Sequence, residues 1–248
     1  MKKRIFRKWQ IQVLGLVYVL LLTGTAVSNP VNETVSTIKV EAESLKGDET
    51  ENEIEDQTEG KEAPWVALTF DDGPHAVYTP ELLDGLKKRR VHATFFLIGQ
   101  NIEQGENVSI VERMEEEGHL IGNHTYHHVD ITKLDDESAY EEIRETNELI
   151  EAITGRPVEF MRPPFGAWQK ELEKRVPLIP VLWTVDPLDW ATDHTDEIVN
   201  KVVTETEEGD MILLHDCYKS SVEAALRIID ILQEKGFRFV TADEMIAA

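Results

Sequence analysis

Cysteine is all but missing from this chain. Cys217 stands alone, which excludes an intramolecular disulfide framework and any zinc site built from paired cysteines. His215 lies two residues away, but a buried Cys is ordinarily a small hydrophobe, so a catalytic thiol is the weaker reading. Positive charge is scarce as well. The 25 Lys and Arg are outnumbered by 48 Asp and Glu, a formal net charge of −23. Such a surface repels polyanions, so nucleic acid is not an expected partner. The acidity suits solubility in salty or alkaline surroundings and decides nothing about fold.

Long apolar runs are equally scarce. The one near the N-terminus covers residues 13–22, short of the about 20 residues a spanning helix needs. It follows a basic stretch (Lys2, Lys3, Arg4, Arg7, Lys8) and precedes small residues from Thr23 to Ser28, the layout of an export signal. Residues 1–28 therefore read as a signal peptide or, if the apolar run extends over 11–27, as an uncleaved membrane anchor. No cysteine follows the run, so lipoprotein processing is excluded. Either way the chain is expected to be secreted, or anchored and facing the cell wall.

Residues 29–62 are acidic and poor in large apolar groups (Glu41, Glu43, Asp48, Glu49, Glu51, Glu53, Glu55, Asp56). They read as a disordered, self-repelling linker. The folded domain is expected over 63–248, and 41% hydrophobic with 29% charged residues is ordinary for a globular chain.

Within that domain short apolar strands alternate with amphipathic helices. Strands are predicted over 65–70, 93–98, 119–122, 160–162, 179–185, 211–215 and 237–240. Helices are predicted over 79–90, 108–117, 136–154, 196–206, 222–235 and 241–246, the third closed by Gly155. Repeated strand–helix units argue for an α/β fold with a parallel sheet, at this length a closed or nearly closed barrel.

The unusual polar residues all fall at or just beyond strand ends: Asp71 and Asp72, His124 and His128, Arg162, Asp186 and Asp189, His215. In a parallel barrel those ends converge on the face that carries active sites. His124 and His128 are spaced i, i+4, and Asp72 would complete a two-histidine, one-carboxylate face with open positions. His127 competes with His128 for that role, and spacing alone leaves both open. An Asp-Asp-Gly-Pro string could also be an ordinary turn, but here an apolar strand delivers both carboxylates to the candidate face.

These residues also carry a resemblance. Thr69-Phe70-Asp71-Asp72-Gly73-Pro74, His124-Thr125-Tyr126-His127-His128, Arg162-Pro163-Pro164-Phe165-Gly166, Asp186-Pro187-Leu188-Asp189-Trp190 and Leu213-Leu214-His215-Asp216 are similar, in order, to the motifs of the polysaccharide deacetylases, the NodB homology domain of carbohydrate esterase family 4. The resemblance implies a variant (β/α) barrel and metal-dependent removal of acetyl groups from an N-acetylated glycan. It selects His128, and implies that Asp72, His124 and His128 hold a divalent ion, zinc first, with Co2+, Mn2+ or Ni2+ as alternatives. Asp71 would be the general base held by Arg162, and His215 the general acid oriented by Asp189. The backbone N–H of Phe165 would face the oxyanion, and Trp190 and Leu214 would wall the acetyl pocket. Asp186 reads as a supporting residue, with the alternative that it rather than Asp189 tunes His215, and His75, His92, His119 and His194 as background.

Export and linker place the domain beside the producing cell's own wall, so N-acetylglucosamine of peptidoglycan is the expected substrate of a monomeric enzyme. Chitooligosaccharide or exopolysaccharide deacetylation and O-acetyl xylan esterase activity use the same centre. A glycosidase built on Asp71 and Asp189 would need no histidine pair, and a binding-only wall protein would not need base, ligands and acid together.

Overall fold

The computed structural model describes residues 63–248, except 169–171, 173 and 248. The expected signal or anchor and the acidic linker lie outside the described residues, within which no helix is long and apolar enough to cross a membrane. Among the described residues there are seven strands: β1 (Trp65–Asp71), β2 (Thr94–Leu97), β3 (Leu120–Asn123), β4 (Phe160–Met161), β5 (Ile179–Pro180), β6 (Met211–His215) and β7 (Arg238–Val240). The helices are α1 (Tyr78–Arg89), α2 (Gly99–Ile102), α3 (Asn107–Glu116), α4 (Asp136–Thr154), α5 (Thr195–Glu205), α6 (Lys219–Glu234) and α7 (Ala242–Ala247).

All strand pairs are parallel, in the order β5-β4-β3-β2-β1-β6, with β7 on the first half of β1. Beyond β5 the chain turns back to β6: Thr184 donates to the Met211 carbonyl, and Leu213 donates to that of Val185. The sheet is thereby curled into a variant (β/α) barrel whose C-terminal strand ends share one rim. The strand predicted over 179–185 shrinks to two paired residues and an isolated bridge at Val185. The physical reason lies in the backbone. Pro180 has no N–H to give a ladder, and the Arg162 guanidinium takes the next two carbonyls, those of Val181 (3.3 Å) and Leu182 (3.2 Å).

Period-2 alternation sorts the strand residues into two layers. Val66, Leu68 and Phe70 of β1, Phe95 and Leu97 of β2, and Ile212 and Leu214 of β6 join the large core under the helices. The opposite positions, Ala67, Phe96, Phe160 and Met211, fill the narrow barrel interior with Val181, and Ala242 of α7 closes its bottom. Space is tight there. A Cβ on Gly122 would lie 2.6 Å from the Phe96 ring and 2.9 Å from the Phe160 carbonyl oxygen.

The long helix α4 shows how local signals set the outer layer. Asp135 caps it by accepting from the backbone N–H of Glu137 (3.1 Å) and Ser138 (2.9 Å), which satisfies two otherwise orphaned donors. Ala139, Ile143, Thr146 and Ile150 form its buried stripe at helical spacing. Gly155 ends it at φ 69°, a left-handed conformation that favours glycine. The short helix α2 has no counterpart in the sequence reading, because four residues are too few to show a period.

Candidate active site

The inner column of each strand continues upward into polar residues. On β1, Thr69 and Asp71 follow Ala67; after β4, Arg162 follows Phe160; on β6, Leu213 and His215 follow Met211. Arg162 is fully buried, with one Nη 2.8 Å from Asp71 Oδ1 and 2.7 Å from the Thr69 hydroxyl oxygen. Its guanidinium also lies 4.4 Å from the centre of the Phe96 ring. A buried cation needs this density of partners, because desolvation otherwise costs several kcal/mol per ion by order of magnitude (~). Asp71 is thus fixed at one oxygen, and its second oxygen faces His124 at 3.8 Å.

Asp72, His124 and His128 each offer a ligand atom, all within 4.8 Å of one another. Asp72 Oδ1 is 3.4 Å from His124 Nε2 and 3.3 Å from His128 Nε2. The Nδ1 of His124 lies 2.6 Å from the Arg162 carbonyl oxygen, so that nitrogen carries the proton and Nε2 presents a lone pair. A lone pair therefore faces a buried carboxylate oxygen that has no hydrogen-bond partner. Two acceptors in that relation fit a cation between them. Burial works to raise the Asp72 carboxyl, yet the imidazolium form of His124, with those of His128 and His215 behind it, outweighs burial and holds it below the usual carboxylate range until a cation takes the protons' place. Burial also pushes the His128 imidazolium down, which favours the neutral ring a metal requires.

His127 takes no part in this cluster. Its Nδ1 is 2.8 Å from Glu142 Oε1, and the same carboxylate accepts the backbone N–H of both Tyr126 and His127. The ring is thereby turned to the surface side of the loop. Asn123 steadies the loop from below, accepting from the Thr125 N–H at 2.7 Å and donating to the Ile143 carbonyl of α4 at 2.8 Å.

On β6, the strand paired with β1, His215 Nδ1 is 2.8 Å from Asp189 Oδ1, and the His215 backbone N–H donates to Asp189 Oδ2, also at 2.8 Å. Burial works against the imidazolium, but the Asp189 carboxylate more than offsets it, and His215 is pushed up to about 9. Its Nε2 lies 3.9 Å from Asp72 Oδ2. Asp186 does not pair with His215. It accepts from the Leu188 N–H at 2.8 Å, shaping the turn that presents Asp189. Burial and the surrounding carboxylates push the Cys217 thiol up, which removes the thiolate a nucleophile would need.

A cavity of about 340 Å3 joins these groups, with Phe165, Trp183, Trp190, Leu213 and Tyr218 among its walls. Leu214, expected as a wall, is buried in the helix-facing core instead. The alternation of β6 puts Leu213 and His215 on the inner face and Leu214 on the outer one. Phe165 is 70% exposed at the mouth, its ring 4.9 Å from that of His128. Backbone conformation is unusual here. Asp72, Thr125, His128, Phe165 and Leu188 all have φ between 55° and 71°, a region that costs a non-glycine residue roughly 1–2 kcal/mol and that clusters at functional sites.

Several contributors carry no signal of their own in the sequence. Glu142 and Asn123 sit in ordinary helix or strand positions and Trp183 in the segment after β5, and only the tertiary contacts reveal them. Asp216 is fully buried with its Oδ1 unpartnered, packed where a Cβ on Gly73 would lie 2.5 Å away. Gly73 is thus required by a close approach.

A sequence profile of the polysaccharide deacetylases matches residues 58–178. The peptidoglycan N-acetylmuramic acid deacetylase PdaC of Bacillus subtilis is 38% identical over 180 residues; the match takes in 73% of this chain and 38% of that protein's length. A peptidoglycan N-acetylglucosamine deacetylase of Bacillus cereus is 40% identical over 191 residues, 73% of this chain and 67% of the relative. The solved structure of PdaC superposes with a TM-score of 0.72 at 37% identity, covering 75% of this chain and 91% of that one. These matches are longer than the profile match, and the chain belongs to the polysaccharide deacetylase family.

Proposed function

We propose that this chain is a divalent-metal-dependent hydrolase that removes acetyl groups from N-acetylglucosamine residues of peptidoglycan, acting outside the cell. The observation that carries the reading is one cavity bounded by a carboxylate held by a buried arginine, a two-histidine, one-carboxylate cluster, and a histidine held by a carboxylate.

Asp72, His124 and His128 would hold the ion, zinc in the first place given two imidazoles and one carboxylate. The ion would supply Lewis-acid polarisation of the acetamide carbonyl and lower the pKa of water. Asp71 acts as general base, taking the proton of the attacking water on the oxygen that Arg162 leaves free. Arg162 keeps that carboxylate ionised and pointed. The backbone N–H of Phe165 donates to the developing oxyanion. His215, charged through its pairing with Asp189, gives a proton to the sugar nitrogen as the C–N bond breaks. Acetate and a free amino sugar leave. Trp190 and Leu213 line the space for the acetyl methyl.

The names of the relatives support a wall glycan, and one of them specifies the muramic acid residue instead. The test is acetate release from purified peptidoglycan by chelated and zinc-reconstituted protein, with reducing ends counted and muropeptides weighed by mass spectrometry. Acetate released only with metal, no new reducing ends, and mass loss on glucosamine support the reading. Loss on muramic acid moves the specificity to the other sugar. Metal-independent release, or new reducing ends, would falsify it.

A further inference from the structure

The one-turn helix α2 is too short to form on its own, because helix nucleation orders several residues before hydrogen bonds offset the cost. Its neighbours hold it. The Gly99 N–H donates to the Thr125 carbonyl and the Gln100 N–H to that of Tyr126, each at 3.0 Å. Both acceptors lie between His124 and His128, and the His124 N–H in turn donates to the Leu97 carbonyl at 2.9 Å. Gly99 permits the approach: a Cβ there would lie 2.6 Å from the Tyr126 ring and 2.7 Å from the Thr146 hydroxyl oxygen.

The same segment also grips the loop that carries Asp72, where three successive carbonyls are taken. Asn101 Nδ2 donates to that of Asp72 at 2.9 Å, the Ile98 N–H to that of Gly73 at 3.0 Å, and Asn107 Nδ2 to that of Pro74 at 3.1 Å. Gln104 Nε2 donates to Asn101 Oδ1 at 3.1 Å, which orients the Asn101 amide with its nitrogen toward Asp72. Asn107, only 3% exposed, also donates to the Asn101 carbonyl at 2.7 Å and so ties Asn101 to α3. Asp72 needs such a grip, since its φ of 71° is costly for a residue with a side chain.

We propose that α2 is the spacer of the metal site, and that Asn101 is a positioning residue that holds Asp72 at its distance from His124 and His128. The inference rests on the reading of Asp72, His124 and His128 as metal ligands. One ligand from one loop and two from another keep a fixed separation only if the loops are tied together. The sheet does this as far as the strand ends, and beyond them α2 is bonded to both loops. Removing a group that holds a metal ligand without touching the ion ordinarily costs ~10–100-fold in metal affinity. Asn107 acts through Asn101, so losing both amides should cost little more than losing one.

The test measures the zinc affinity of metal-stripped protein by competition with a chromophoric chelator. Beside it stand the melting temperature of the metal-free chain and the visible absorption of the cobalt-substituted form. Asn101→Ala and Asn101→Asp should each weaken zinc binding at least ~10-fold and alter the cobalt spectrum. The second variant is the sharper. It keeps the shape and the bond from Gln104 but cannot donate to Asp72, while its added negative charge would by itself tighten binding of a cation. Val202→Ala opens a void at a fully buried position of α5, and should lower the melting temperature without changing zinc affinity. Wild-type zinc affinity in both Asn101 variants overturns the proposal, as does an equal loss of affinity in Val202→Ala. A wild-type chain that binds no zinc would instead remove the metal reading itself, and this proposal with it.

Discussion

Replacing Asp189 by Asn separates the charge of that residue from its shape. In the native site His215 is buried, which disfavours the imidazolium, yet its pKa is pushed up to about 9 by the Asp189 carboxylate at 2.8 Å. Against an ordinary value of 6.5 this is about 2.5 units, or on the order of 3 kcal/mol in favour of the charged form. An amide has one acceptor oxygen for the two hydrogen bonds Asp189 accepts. Kept on the imidazole, it loses the His215 backbone N–H and brings no charge, so in Asp189→Asn burial is left to dominate and His215 should titrate below 6.5. A general acid is active only while protonated. The alkaline limb of kcat/KM should therefore move down by two units or more, and activity at pH 8 should fall at least ~10-fold, within the range for general acid–base groups. A divalent ion near Asp72 repels the imidazolium and lowers both proteins' limbs, so the comparison is made at equal metal loading. The same shift has a stability counterpart in metal-free protein. A histidine whose folded pKa is raised adds stability that is fully present below pH 6.5 and is lost as pH rises through about 9. The melting temperature of the metal-free wild type, less that of Asp189→Asn, should shrink across that window. An alkaline limb that stays in place in the variant would refute the role assigned to the pair.

The metal cluster gives a sharp contrast between neighbours: His124→Ala or His128→Ala should leave purified protein without bound zinc by elemental analysis, while His127→Ala, which removes only a contact to Glu142, should keep it. Asp71→Asn should retain the metal and lose ~10²–10⁴ of the acetate-release rate, because the amide cannot take a proton; a smaller loss would put the base elsewhere. Gly122→Ala should destabilise the fold by about 1–3 kcal/mol in thermal melts, since its Cβ would sit 2.6 Å from Phe96 and 2.9 Å from backbone. An unshifted melting temperature would mean that the interior is looser than its packing indicates.

The sequence made the strand–helix alternation and the polar residues at strand ends legible, because both are written in local pattern. The helix over 136–154 is read to the residue, since Asp135 and Gly155 mark its two ends chemically. The segment after Ile179 is misread for an equally physical reason: its apolar run looks like a strand, but its carbonyls are claimed by Arg162 from another element. Leu214 is misassigned by one position, which in a strand means the opposite face. The choice between His127 and His128, and between Asp186 and Asp189, depends on Glu142 and on the turn at Leu188, partners that no spacing rule locates.

The site and the barrel interior obey the same alternation. Ala67, Thr69 and Asp71 stand on one face of β1, and Met211, Leu213 and His215 stand on one face of β6, paired in register so that Asp71 lies opposite His215. Arg162, two residues beyond Phe160, rises from the same inner column and ties Thr69 and Asp71 together. A slip of one residue in either strand would send Asp71 or His215 outward into the helix layer and bring Phe70 or Leu214 inward. The apolar pattern that fixes the register also aims the chemistry. Phe70 and Leu214 are fully buried on the outer face, and the burial that holds them there keeps Asp71 and His215 turned side by side into the cavity.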